Sequence, residues 1–151
     1  MRTYLETIGK KAQKAFEENI NTKIKNKVLI RFSNLIKKNQ LKIINENKKD
    51  ISFAVNKKIK ENLINRLKLN KLKIKQIIKS IKVVARLKDP IDITLSEWRR
   101  PNGLKIKKVT IPIGVIATIY ESRPNVTSDV SSLCFKSGNS VILRGGSEAY
   151  F

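Results

Sequence analysis

Apolar residues recur every three or four positions through the first 88 residues, then gather into short, near-continuous runs after residue 90. Tyr4, Leu5, Ile8, Ala12, Ala15 and Phe16 form the first stripe and predict a helix with one buried face. Ile24, Val28, Leu29, Phe32, Leu35 and Ile36 repeat the pattern after a break at Asn19–Thr22, with Thr22 as the expected N-cap. A weaker helical segment runs through Leu41, Ile43, Ile44 and Ile51. Another begins at Asn70, a good N-cap residue, and puts Ile74, Ile77, Ile78, Ile81, Val84 and Ala85 on one face. Asp89-Pro90 stops it, because the proline ring pushes the preceding residue out of the helical region.

The period changes at Ile91. Leu95–Arg100 and Leu104–Val109 read as two short strands around Pro101-Asn102-Gly103. Asn-Gly supplies the positive φ angles of a tight turn, so a β-hairpin is expected with Trp98 as its apolar anchor. Gly114–Tyr120 is an apolar run of the kind buried on both faces of a parallel sheet. Pro124 suits the first turn of a helix, where its missing N–H costs nothing. Val126, Val130, Leu133 and Cys134 then form a core-facing stripe, ended by Gly138-Asn139. Ser140–Arg144 is the second apolar run and Gly145-Gly146 a tight loop. Strand, helix and strand within about 30 residues make a βαβ unit. The fold class is therefore α/β, organised as a helical region over 1–90, a hairpin over 91–110 and the start of an α/β domain over 111–151.

Composition narrows the function classes. No run approaches the roughly 18 apolar residues of a membrane span, and the start of the chain lacks a signal-peptide pattern, so a cytoplasmic protein without a membrane partner is expected. The single cysteine, Cys134, fits a reducing compartment. With no histidine, imidazole triads and histidine metal sites are excluded, and no metal is expected. The net charge of +21 raises the question of nucleic acid. Residues 1–88 hold 25 of the 33 basic residues, whereas 109–151 hold three of each sign. Lys, Ile and Asn share adenine- and thymine-rich codons, and the lysines fall between apolar positions rather than in blocks. A lysine-coated helical surface accounts for the charge, and no nucleic-acid partner is expected.

Candidate chemistry lies at the carboxyl ends of the two strands, where open α/β sheets bind ligands. These are Tyr120–Asn125 and Arg144–Ser147. Adjacent glycines let backbone N–H groups approach a phosphate, and Arg144 can pair with it in a bidentate manner. A plain turn with an ordinary strand-end cation satisfies the same residues.

The wording of the segment is more specific than its physics. Pro112-Ile-Gly-Val-Ile-Ala-Thr-Ile-Tyr-Glu-Ser-Arg-Pro-Asn-Val-Thr127 and Leu133-Cys-Phe-Lys-Ser-Gly-Asn-Ser-Val-Ile-Leu-Arg-Gly-Gly-Ser-Glu-Ala149 resemble the gamma-glutamyl phosphate reductase family, also called glutamate-5-semialdehyde dehydrogenase. This is a branch of the aldehyde dehydrogenase superfamily. The resemblance is tight over 109–149 and looser over 1–108. Superfamily relatives read Lys-Pro-Ser-Glu where this chain reads Arg144-Gly-Gly-Ser-Glu148, which points to the reductase branch.

The resemblance implies an aldehyde-dehydrogenase-type, Rossmann-like nucleotide-binding domain, incomplete here, with its catalytic domain absent. It implies NADPH-dependent reduction of L-glutamate 5-phosphate to L-glutamate 5-semialdehyde in proline biosynthesis, through a cysteine thioester. Ile119, Tyr120, Glu121, Ser122, Arg123 and Pro124 are expected to line the NADPH or NADP cofactor, together with Arg144, Gly145, Gly146 and Ser147. Arg144 stands where the superfamily lysine meets the adenosine ribose, and an arginine there suits a 2′-phosphate. Arg123 and Asn125 are expected to face the anionic substrate, with a helix-start role for Asn125 as the alternative. The family's nucleophile lies downstream, so no catalytic residue is assigned and Cys134 is read as structural. The fragment alone is expected to be inactive, and the full-length enzyme to be a homo-oligomer joined through hairpins such as 95–109. Another superfamily oxidoreductase, or a small basic nucleic-acid binder, are the alternatives.

Overall fold

A computed structural model describes residues 2–121, 123–147 and 149. Five helices come first: α1 (Arg2–Glu17), α2 (Thr22–Lys38), α3 (Gln40–Asn56), α4 (Glu61–Leu67) and α5 (Lys71–Arg86). An antiparallel hairpin follows, β1 (Thr94–Arg99) with β2 (Lys105–Val109). The chain continues through β3 (Val115–Ile119), α6 (Pro124–Lys136) and β4 (Ser140–Arg144). β3 and β4 pair in parallel, from Val115 opposite Ser140 to Ile119 opposite Arg144, so the βαβ unit is present as expected. Among the described residues no helix is long and apolar enough to cross a membrane.

The core forms around α5. Ile77, Ile81, Val84 and Ala85 are buried with Leu29 of α2, and Phe32, Ile36 and Phe135 pack against the cluster. Each fully buried isoleucine contributes on the order of 2 kcal/mol from apolar burial. A second cluster joins α3 to α4 through Ala54, Ile64 and Leu67. Asn47 of α3 is buried beside it, donating to the Leu67 carbonyl at 3.0 Å and accepting from the Leu69 N–H at 2.7 Å. One side-chain amide thus satisfies a donor and an acceptor at the end of α4, where the helix itself supplies neither. Helix α4 was not anticipated from the sequence. It is only 7 residues long, and its N-cap, Lys60, makes no side-chain cap bond.

Several expectations are corrected in detail. Asn21, not Thr22, caps α2, accepting from the Ile24 N–H at 3.0 Å. Thr22 Oγ1 instead donates to Asp89 Oδ2 at 2.6 Å. The face of α2 that is buried carries Lys25, Leu29 and Ser33, while Ile24, Val28 and Leu35 remain exposed. No residue of α1 is buried; Tyr4 and Leu5 are exposed because α1 packs on β3 and β4 and leaves a cavity between itself and α2. In α6 the buried line is Ser128, Ser132, Cys134 and Lys136, with Leu133 turned outward. β3 is half-buried rather than covered on both faces, since its sheet has two strands among the described residues.

The hairpin forms around Pro101-Asn102-Gly103 as expected, with positive φ at the glycine alone. Gly103 N–H donates to the Arg100 carbonyl and Arg100 N–H to the Leu104 carbonyl, each at 2.9 Å. Gly103 has φ +82°, whereas Asn102 keeps negative φ, so three residues make the loop with Pro101 fixing its entry. Trp98 pairs across the strands with Ile106 but is 43% exposed, so it is no buried anchor.

Asp89 does more than stop α5, which already ends at Arg86. Its carboxylate accepts from Thr22 Oγ1, from Lys25 Nζ at 3.1 Å and from the Ile91 N–H at 3.1 Å. The side chains of Lys25 and Asp89 are 7% and 14% exposed, so this is an ion pair largely out of water. It staples the start of α2 to the link between α5 and the hairpin. Burial alone pushes the Asp89 carboxyl up, but the hydrogen bonds from Thr22, Ile91 and Lys25, with the Lys25 charge, outweigh it and leave the group below its ordinary value.

At the end of α6, the Asn139 N–H returns to the Cys134 carbonyl at 2.8 Å and the Gly138 N–H to the Phe135 carbonyl at 3.2 Å. Gly138 adopts φ +70°, and a Cβ there would lie 3.2 Å from the Pro112 ring. Lys136 Nζ then reaches Asn26 Oδ1 at 2.6 Å and the Ala85 carbonyl at 3.3 Å, tying α6 to α2 and to the negative end of α5.

The Asp89 staple makes a pH-dependent prediction. A carboxyl whose folded pKa lies below its unfolded value stabilises the fold above about pH 4 and loses that contribution as pH falls through the folded value. Asp89→Asn is expected to cost on the order of 3 kcal/mol at neutral pH, because it leaves Lys25 without its counter-charge. Urea unfolding of both proteins should show that gap closing in acid; a gap independent of pH would remove the ion pair from the account.

Candidate functional site at the carboxyl ends of the parallel strands

The parallel register brings the two candidate segments together. Ile119 lies opposite Arg144, and the Tyr120 N–H donates to the Arg144 carbonyl at 3.1 Å. The space beside Gly145 is bounded by the Tyr120 ring, which a Cβ on that glycine would meet at 3.8 Å. Tyr120 Oη is in turn 2.5 Å from Thr127 Oγ1, fixing the ring against the first turn of α6. Ile119 is 76% exposed, leaving an apolar surface at the sheet end. Arg144, Gly145 and Ser147 are exposed and Gly146 is half-buried. Ser122 and Glu148 lie outside the described residues.

Two cavities flank this edge. One of about 460 Å³ is lined by Ile119, Tyr120, Glu121, Arg123 and Val126, and closed by Leu63 and Arg66 of α4. The other, of about 260 Å³, holds Pro124, Asn125 and Asp129 opposite Arg66, Lys73 and Ser80. Arg123 therefore faces the first cavity and Asn125 the second, while Arg144–Ser147 line neither. The Asn125 amide donates to Asp129 Oδ2 at 3.0 Å, and Asp129 Oδ1 accepts from Ser80 Oγ at 3.1 Å. These bonds position the start of α6 against α5. Pro124 at the first helical position follows from its fixed φ, as expected.

A larger cavity lies elsewhere. About 780 Å³ opens between α1, α2 and the amino ends of the strands, lined by Phe16, Val28, Phe32, Pro112, Phe135 and Ser140 among others. Ser132 Oγ is buried on its wall without a hydrogen-bond partner. Size alone favours this space. The chemistry favours the strand ends, where cations, glycines and open backbone groups converge.

Sequence reasoning missed Arg66. Its signal was present in Ile64 and Leu67, spaced three apart on either side of it, with Glu61 in the first turn and Arg66 in the last. Cys134 behaves as expected: it is buried, and burial pushes its thiol above the ordinary cysteine value. Among the described residues no group of three or more metal-ligating side chains converges.

Comparison with known proteins adds an independent line. The chain is 47% identical over 151 residues to gamma-glutamyl phosphate reductase of Hydrogenobaculum sp., covering 99% of this chain and 34% of that protein. It is 49% identical over 143 residues to gamma-glutamyl phosphate reductase of Caldicellulosiruptor bescii, covering 93% and 34%. The crystal structure of gamma-glutamyl phosphate reductase from Thermotoga maritima superposes with a TM-score of 0.88 at 40% identity, over 93% of this chain and 34% of that one. The Saccharomyces cerevisiae enzyme gives 0.90 at 34% identity, over 95% and 37%. No protein-family model matches the chain. The chain thus shares fold and ancestry with the amino-terminal part of these reductases and spans about a third of their length.

Burial makes a prediction for the thiol. Thiol-disulfide reagents should label Cys134 slower by orders of magnitude in the native chain than in urea, and Cys134→Ala should preserve the fold. Rapid native labelling would contradict a structural role.

Proposed function

We propose that this chain forms the cofactor-side portion of a gamma-glutamyl phosphate reductase, which reduces L-glutamate 5-phosphate to L-glutamate 5-semialdehyde with NADPH and releases phosphate. The single observation that carries the reading is the likeness to the Thermotoga maritima reductase, at 40% identity and a TM-score of 0.88 over 93% of this chain. Ile119–Glu121 and Arg144 meet at one sheet edge through the Tyr120–Arg144 bond, with Arg123 and Pro124 following one strand and Gly145–Ser147 the other.

The residues present fit a dinucleotide. Arg144 is exposed and has no ion pair among the described residues, so its guanidinium is free to meet a phosphate; the 2′-phosphate of NADPH is the anion it suits. Gly145 and Gly146 leave backbone N–H groups approachable beside it. Exposed Ile119 and the fixed Tyr120 ring offer the apolar surface on which a nucleoside can lie. NADPH supplies the hydride when bound. This chain's own residues bind and orient: Arg144 to Ser147 on the phosphate side, Arg123 and Asn125 on the side of the anionic substrate.

A thioester route from an acyl phosphate needs a thiolate, and the only thiol here is buried with its pKa raised. The 151-residue chain is therefore expected to show no turnover. A chimera in which these residues replace the matched part of the Hydrogenobaculum reductase is expected to be active, assayed in either direction. Arg144→Met in it should raise KM for NADPH by about tenfold, the scale of a lost charge-assisted phosphate contact, and change KM for NADH less. A folded but inactive chimera, or turnover by the 151-residue chain itself, would contradict the reading.

A further inference from the structure

Among the described residues, Arg66 alone lines both cavities at the strand ends. In the larger it shares the wall with Arg123, from a different element 57 positions along the chain, and with the carboxylate of Glu121. Neither guanidinium has an ion pair or hydrogen bond among the described residues. In the smaller cavity the one carboxylate, Asp129, is already engaged by Ser80 and Asn125.

The backbone that carries Arg66 is held with care for so short a helix. Leu67, next to it, is fully buried, and Ile64, one position before Asn65, is buried on the same side. Asn47 clamps the exit of the helix through the Leu67 carbonyl and the Leu69 N–H. A cation on an anchored backbone, facing a cavity and making no ion pair among the described residues, is pre-organised for an anion.

We infer that Arg66 and Arg123 together form the anion-recognition wall of the acyl-substrate pocket, with Arg66 as a specificity-determining residue. The ligand class is a short dianionic acyl compound bearing a carboxylate or phosphoryl group. The identity of the substrate rests on the reductase reading; the anion site rests on its own geometry. The arginine fork grips such a group by two parallel hydrogen bonds, which a lysine cannot reproduce.

Two measurements separate these dependencies. In the ¹⁵N-labelled 151-residue chain, glutarate and inorganic phosphate are titrated separately while the arginine Nε–Hε signals are followed. The Arg66 and Arg123 signals are expected to move together and saturate. Arg66→Met should weaken binding by about tenfold, Arg66→Lys by less, and the hairpin control Lys105→Met not at all. Arg66 is exposed, so these substitutions leave the core intact, and the dispersion of the spectrum checks it. Arg66 signals that stay fixed, or equal losses in Arg66→Met and Lys105→Met, overturn the anion site. In the active chimera, Arg66→Met should raise KM for glutamate 5-phosphate by about tenfold, and by more than it raises KM for NADPH, whose proposed contacts Ile119 and Tyr120 share the cavity. An unchanged substrate KM overturns the specificity role. If the unsubstituted chimera is inactive, the reductase reading falls and the titration alone decides whether Arg66 binds anions.

Discussion

Ile77 and Ile81 of α5 are closed over by Leu29 and Phe32 of α2 on one side and by Phe135 of α6 on the other. Everything that positions the strand ends depends on this burial. Helix α6 is the crossover of the βαβ unit, so its seat on α5 fixes where β3 leaves the sheet and where β4 enters it. Lys136 reinforces that seat from the far end of α6 by joining Asn26 and the Ala85 carbonyl. The apolar contact supplies most of the free energy, and the buried lysine sets the orientation, because its desolvation is offset only when both partners are in place.

The same division holds on either side of the core. At the amino ends of the strands, Asp89 gathers Thr22, Lys25 and the Ile91 N–H, while Gly138 lets the loop pass close to Pro112. At the carboxyl ends, the anchors stand one residue back from the exposed groups: Leu67 behind Arg66, Tyr120 bonded to Thr127 beside Arg123. Cations are thereby presented from rigid elements rather than from loose loops, which is what recognition of a small anion requires. Among the lysines of α2 and α5, Lys25 binds Asp89 and Lys73 lines the smaller cavity at the strand ends.

Much of this was legible in the residues, and the failures share a cause. Helix α5, the start of α6 at Pro124 and the strand Ser140–Arg144 were all readable, because local signals and burial agree there. Stripe orientation was misread where burial is polar: Lys25 and Ser33 in α2, Asn47 and Asp50 in α3, Ser128 and Ser132 in α6. Apolar periodicity marks the greasy face of a helix, and here several helices turn a hydrogen-bonding face inward. Helix α4 escaped for a related reason, since its stop is made by Asn47 twenty residues earlier rather than by a cap of its own. The candidate segments were picked out by the strand-end rule and by the resemblance; Arg66 was not, because only the tertiary fold brings α4 to that edge.

The proposed ligand site lies at the carboxyl ends of β3 and β4, apart from the larger apolar cavity at their amino ends. The most direct test is the position of NADPH in crystals of the reductase chimera soaked with the cofactor. Difference density is predicted against Ile119–Pro124 and Arg144–Ser147, with the Arg144 guanidinium on a phosphate. Cofactor density in the cavity beside Phe16, Val28 and Phe32, with the strand ends empty, would contradict the account.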